Sequence, residues 1–274
     1  MHSQPQETAD PFEAAVEAVI SGNLDALQTI LRHHPGLVHG RSSRPHRATL
    51  LHYIAANGVE DERQRTPKNA VAVARALLDA GADPNALASM YGGECTTLSM
   101  LVSSTPPAQA GVQCNLVDVL LDYGAKPNGG LMTALIFGFR DAAETLVRRG
   151  VPVNRLPEAA GLNRLPRVRE LLPTADAEER HRALALAAQH GHTDILRLML
   201  DAGTNPNQFN PEGMHSHSTP LHQAALAGHE EVVRLLIERG ALTDIEDKIW
   251  HGTPARWAEH GGNVKIADYL RTRA

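Results

Sequence analysis

Large rings are scarce in this chain of 274 residues: four Phe, four Tyr and two Trp, 4% in all. That is too few for a base-stacking surface, and few for a core anchored on aromatics. With 42% apolar residues, the core must instead come from Ala, Leu and Val, which suits closely packed helices. Cysteine is scarcer still. Cys95 and Cys114 cannot build a disulfide framework or a four-cysteine zinc site, and reduced thiols make the cytoplasm the default compartment. No window reaches about eighteen uninterrupted apolar residues, and the first apolar stretch, Phe12 to Ile20, is broken by Glu13 and Glu17. Neither a signal peptide nor a membrane span is expected. The formal net charge of -5, with 21% charged residues, fits neither a disordered chain nor one that coats nucleic acid. Two arginine groups, Arg41, Arg44 and Arg47, then Arg164, Arg167 and Arg169, do not supply the phosphate attraction that nucleic acid requires.

What the chain has is repetition. The clearest unit runs Thr219-Pro220-Leu221-His222, then Ala224-Ala225 and Gly228-His229, then Val232-Val233 and Leu235-Leu236, and ends at Gly240-Ala241. Thr219 can cap a helix through its hydroxyl, and Pro220 fits a first turn, where no N–H is needed. Gly228 permits a left-handed turn between two short helices, and Gly240 ends the second. Each helix is two or three turns long, too short to stand alone. Partial copies recur at Thr49-Leu50-Leu51-His52, Thr96-Thr97-Leu98-Ser99, Thr133-Ala134-Leu135-Ile136, Ala183-Leu184 and Thr253-Pro254. The ending recurs too, at Gly81-Ala82-Asp83-Pro84-Asn85, Gly124-Ala125-Lys126-Pro127-Asn128, Gly203-Thr204-Asn205-Pro206-Asn207 and, more weakly, Gly150-Val151-Pro152-Val153-Asn154. An X-Pro-Asn ending stops a helix and turns the chain into an extended finger.

This pattern resembles the ankyrin repeat, whose Thr-Pro-Leu-His signature is complete at Thr219 to His222. The resemblance implies an all-α solenoid of about eight stacked helix-turn-helix units with finger loops or β-hairpins. A flexible tail is expected over residues 1–10, then one repeat domain over 11–274. Its approximate units are 11–47, 48–94, 95–131, 132–154, 155–175, 176–217, 218–251 and 252–274. Departures from the pattern are informative. The second unit carries an insertion close to Glu60–Ala70, with Gly58 as its expected inter-helix turn, and the third is extended around Thr105–Gly111. The fourth is short, the finger from Gln208 to Ser218 is long, and the array is expected to change direction near the fourth and fifth units.

No residue emerges as catalytic, cofactor-binding or metal-ligating. His229-Glu230-Glu231-Val232-Val233 begins like a zinc-protease helix, but Val233 stands where the second histidine would be required. No nucleophile elbow or phosphate-binding loop occurs. Fifteen histidines are many, however. His215, His217, His222, His251 and His260 offer a rival reading, a small-ligand or metal site, catalytic or not, in the C-terminal third. His222 falls on the signature position, where the resemblance implies hydrogen bonding within and between units.

The same resemblance implies a concave groove that binds an unidentified partner protein. Groove positions would be Tyr53, Asn57, Met100, Ser103, Phe137, Arg140, Gln189, Gln223, Leu226, Trp257 and His260. Met90, Tyr91, Phe209, Met214, His215, His217 and Trp250 would lie at the fingers. Exposed Trp and Tyr are typical anchors of protein contacts.

Overall fold

The computed structural model describes residues 10–56 and 60–273. The groove position Asn57, the expected turn at Gly58 and the expected tail before residue 10 lie outside the described residues. Contacts divide the chain into two compact units, Met1–Val151 and Pro152–Ala274.

In the first unit, α1 (Pro11–Ser21) starts where Asp10 accepts the Phe12 N–H at 2.9 Å. It pairs with α2 (Leu24–His33), capped by Asn23. The segment after Thr49 is a tight 3-10 helix, Leu50–Ala55, with all six residues buried, and its partner is α3 (Ala70–Asp79). A β-hairpin follows, β1 (Leu87–Met90) and β2 (Gly93–Thr96). Next come α4 (Thr97–Leu101), α5 (Thr105–Gln109) and α6 (Gln113–Asp122), then the pair α7 (Gly130–Ile136) and α8 (Arg140–Arg148). The third repeat's extra residues thus form α5, with Pro106 in its first turn.

The inserted segment before α3 is fastened by one buried carboxylate. Glu60 Oε1 faces His46 Nε2 at 2.6 Å and accepts the Tyr53 hydroxyl at 3.0 Å. Its Oε2 meets the Arg44 and Arg63 guanidinium groups at 2.7 and 3.1 Å. Burial alone would raise this carboxyl, but the hydrogen bonds and the two cations hold it below its ordinary value.

The second unit contains α9 (Leu156–Gly161) and α10 (Leu165–Leu171), α11 (Ala177–Gln189) and α12 (Thr193–Asp201), α13 (Pro220–Ala227) and α14 (Glu230–Glu238), and α15 (Pro254–His260) and α16 (Val264–Arg271). First helices stack in the order α9, α11, α13, α15. Alanines make this close approach possible: Ala183, Ala187, Ala188, Ala224, Ala225 and Ala258 are fully buried against Leu184, Leu196 and Leu236. At Gly228 (φ 81°) the turn is left-handed, and an added Cβ would lie 2.7 Å from the Asn263 side chain. That asparagine donates to Ala225 O and Leu226 O of the preceding pair. The long α11 carries an extra turn that supports the long finger. His181 Nε2 donates to Phe209 O at 3.1 Å and Arg182 to Glu212 O at 3.2 Å. On α16, Lys265, Asp268 and Arg271 face solvent. Among the described residues no helix is long and apolar enough to cross a membrane.

Candidate functional site

Two histidines join first helices to the fingers that follow. His222 Nδ1 accepts the Thr219 N–H at 3.2 Å and faces its hydroxyl at 2.8 Å, while Nε2–H donates to Gly252 O at 3.0 Å. His52 repeats the arrangement with Thr49 and with Cys95 O at 3.2 Å. Both rings are buried, and burial pushes each down to about 4. With both nitrogens engaged, His222 has no lone pair to give a metal. Among the described residues no group of three potential ligands lies close enough to hold a metal.

The most organised surface feature is the finger that ends at Gly252. Asp247 is buried, and its Oδ1 accepts the Ile249 and Trp250 N–H groups at 2.9 and 2.7 Å. Its Oδ2 accepts the Gly252 N–H at 2.8 Å and the Trp257 indole N–H at 3.0 Å. Burial would raise this carboxyl, yet the four donors hold it far below the usual carboxylate range. A loop fixed in this way presents Ile249 and Trp250 outward, 56% and 65% exposed. Behind Trp250 the rings of His217 and Trp257 lie 5.2 and 6.1 Å away, centroid to centroid, and His215 stands edge-on to His217. Burial and His215 lower His217 against the opposing pull of Asp247. The Lys248 ammonium sits 4.2 Å from the Phe209 ring centroid.

The first unit contains a counterpart. Ser89 N–H donates to His46 O at 2.8 Å, joining adjacent fingers just as Lys248 N–H donates to His217 O at 2.9 Å. Two residues beyond each donor stands an exposed aromatic, Tyr91 at 73% and Trp250 at 65%. Tyr91 and Gly92 both have positive φ, 54° and 77°, a type I′ hairpin turn.

Five expected contact residues are corrected by burial. Tyr53, 1% exposed, is held inside by Glu60, and burial pushes its hydroxyl up to about 12. Met90 is on the inner face of the hairpin, Met100 is on the packed side of α4, and Gln223 donates to Ser218 Oγ. Met214, also placed at a finger, is buried. Of the others, Tyr91, Phe137, Arg140, Trp250 and His260 are exposed. Gln189, Phe209, His215, His217, Leu226 and Trp257 are half-buried. His215, His217 and Trp250 of adjacent fingers come together with Trp257 of α15 in the second unit, and Phe209 joins them through Lys248; Tyr91, Phe137 and Arg140 belong to the first. The organising role of Asp247 escaped the sequence. Its one local signal was an Asp two and three residues before the N–H groups it binds, a common turn device.

Helix pairs stacked on Ala and Leu, with capped first helices and fingers between them, define a helical repeat protein. Comparison with known proteins agrees. Residues 156–249 match the ankyrin repeats in three copies. The human Notch-regulated ankyrin repeat-containing protein is 36% identical over 108 residues, 38% of this chain and 90% of its own length. The Caenorhabditis elegans ankyrin repeat and KH domain-containing protein mask-1 is 27% identical over 244 residues, 87% of this chain but 8% of its own length. An ankyrin repeat-containing protein of Schizosaccharomyces pombe is 36% identical over 63 residues, 23% of this chain and 28% of its own length. The chain thus spans less than a third of the longer curated relatives it matches. It belongs to the ankyrin-repeat family, an all-α solenoid class whose members are generally protein–protein interaction modules.

Proposed function

We propose that this chain is a non-catalytic module that holds a partner protein on its fingers and the adjoining helix faces. Trp250 is the central contact and Tyr91 its counterpart in the first unit. The observation that carries this reading is the Asp247 loop. Four hydrogen bonds fix a short finger whose outward side chains are Ile249 and Trp250, both large, apolar and exposed. Holding them in water costs solvation that folding does not recover, and a fixed loop lowers the ordering cost of docking. Phe209, His215, His217, Leu226 and Trp257 supply the surrounding contacts, with Gln189 and His260 outlying in the same unit. Phe137 and Arg140 serve Tyr91's unit. The cytoplasm, where Cys95 and Cys114 stay reduced, suits this role.

Native capture from the source cells, with wild type against a Trp250→Ala/Tyr91→Ala double variant, tests the reading. Val264→Ala, an exposed apolar position on α16, serves as control. A protein retained by wild type and the control but lost from the double variant supports it. Equal capture by a double variant that keeps its helical signal refutes it.

A further inference from the structure

The hairpin leaves one edge of its second strand open. In β1 and β2 the register pairs Met90 with Gly93, Ser89 with Glu94 and Ala88 with Cys95. The two-residue turn makes Met90–Gly93 a hydrogen-bonded pair, so alternation makes Ser89–Glu94 a non-bonded one. The backbone groups of both residues therefore point away from the hairpin. On the β1 side, that outward N–H is satisfied, since Ser89 donates to His46 O of the preceding finger. On the β2 side, among the described residues, nothing receives the outward groups of Glu94. The following finger is too short to do so: from Ala125 the chain enters α7 at Gly130 without forming a strand. Asn85 bonds Gly124 O and Lys126 N, tying only the bases of the two fingers together.

From this geometry we infer that β2 accepts an extended segment of another protein as an added strand, with a basic residue opposite Glu94. An extended chain offers N–H and C=O groups at the spacing that an open strand edge presents. Glu94 is exposed and makes no ion pair among the described residues. A residue paired across from it shares its face of the sheet, so a Lys or Arg there is favoured and an Asp or Glu repelled. The same charge rejects a second copy of this chain, because two-fold pairing centred on Glu94 would set carboxylate against carboxylate. This strand edge belongs to the first unit, and the inference does not rest on the Trp250 finger.

The probe is a synthetic peptide of about nine alternating Thr and Lys residues, a length that covers a short strand edge. It is titrated into isotope-labelled full-length protein while the amide signals of Glu94 and its neighbour Cys95 are followed, the latter alone in the proline variant below. Two relatives of the peptide, one N-methylated on its lysine nitrogens and one on its threonine nitrogens, test the register. The parent and the threonine-methylated peptide should bind with a saturable Glu94 shift, and the lysine-methylated one about tenfold more weakly. Glu94→Pro, which deletes the outward N–H at a position an edge strand tolerates, should weaken the parent by a similar factor. Glu94→Lys keeps the backbone and should weaken it through charge. Equal binding of all three peptides, equal binding by both variants, or no Glu94 shift overturns the inference. Trp250→Ala should leave peptide binding unchanged. If Trp250→Ala abolished it, the edge-strand reading would fall while the Trp250 surface survived. Loss of Trp250-dependent capture with the peptide still bound would do the reverse.

Discussion

Acidification should loosen both units through His52 and His222. Each ring is neutral in the folded chain because burial has lowered it from 6.5 to about 4. Between those values the unfolded chain takes up a proton that the folded chain refuses. The stabilisation is therefore complete above the unfolded value, falls with pH below it, and is fully lost only below the folded value. Linkage puts the loss at about 2 kcal/mol per histidine between about pH 7.5 and pH 5. Asp247 acts in another window: its folded value lies below 3.8, so its contribution fades only at lower pH. The assay is urea unfolding followed by helical circular dichroism at both pH values, for wild type, His52→Gln and His222→Gln. Each variant should be less stable at pH 7.5 by about 1–3 kcal/mol, since it loses the bridge to the next finger. Each should also show a pH dependence shallower than wild type by about 2 kcal/mol, with His181 and His217, also lowered by burial, leaving a residual slope. A pH dependence unchanged in His222→Gln would refute the argument, whatever its stability.

Asp247→Asn places an amide NH2 among four N–H donors and should cost about 2–4 kcal/mol, with faster amide exchange at Ile249, Trp250 and Gly252. Unchanged exchange there would show that the loop is held by other means. Tyr91→Asn should stabilise the first unit by up to about 1 kcal/mol, because Asn-Gly suits a type I′ turn that a bulky residue occupies at a steric cost. A lower melting temperature for this variant would mean that the tyrosine ring contributes more by contact than its backbone costs.

Much of this fold was legible along the chain because a repeat protein is built from near neighbours. Thr219 at a helix start, His222 three residues on and Gly228 at the turn stand at fixed offsets within one repeat, so residue type and spacing identify them even where, as with His222 and Gly252, their contacts reach the next. The Ala–Leu composition likewise announced close helix packing. Exposure was another matter. Tyr53 was a groove candidate and Tyr91 a finger candidate for the same partner, yet one is fixed beneath Glu60 and the other stands exposed on a hairpin turn. The difference arises from contacts with His46, Arg44 and Arg63, brought together by an insertion that breaks the repeat spacing. The open edge of β2 and the Trp250 platform have the same origin. Whether a backbone group or a ring faces water depends on what the neighbouring finger does, and finger length varies from repeat to repeat. Local spacing determined the helices; the packing of unequal fingers decided which groups were left facing water.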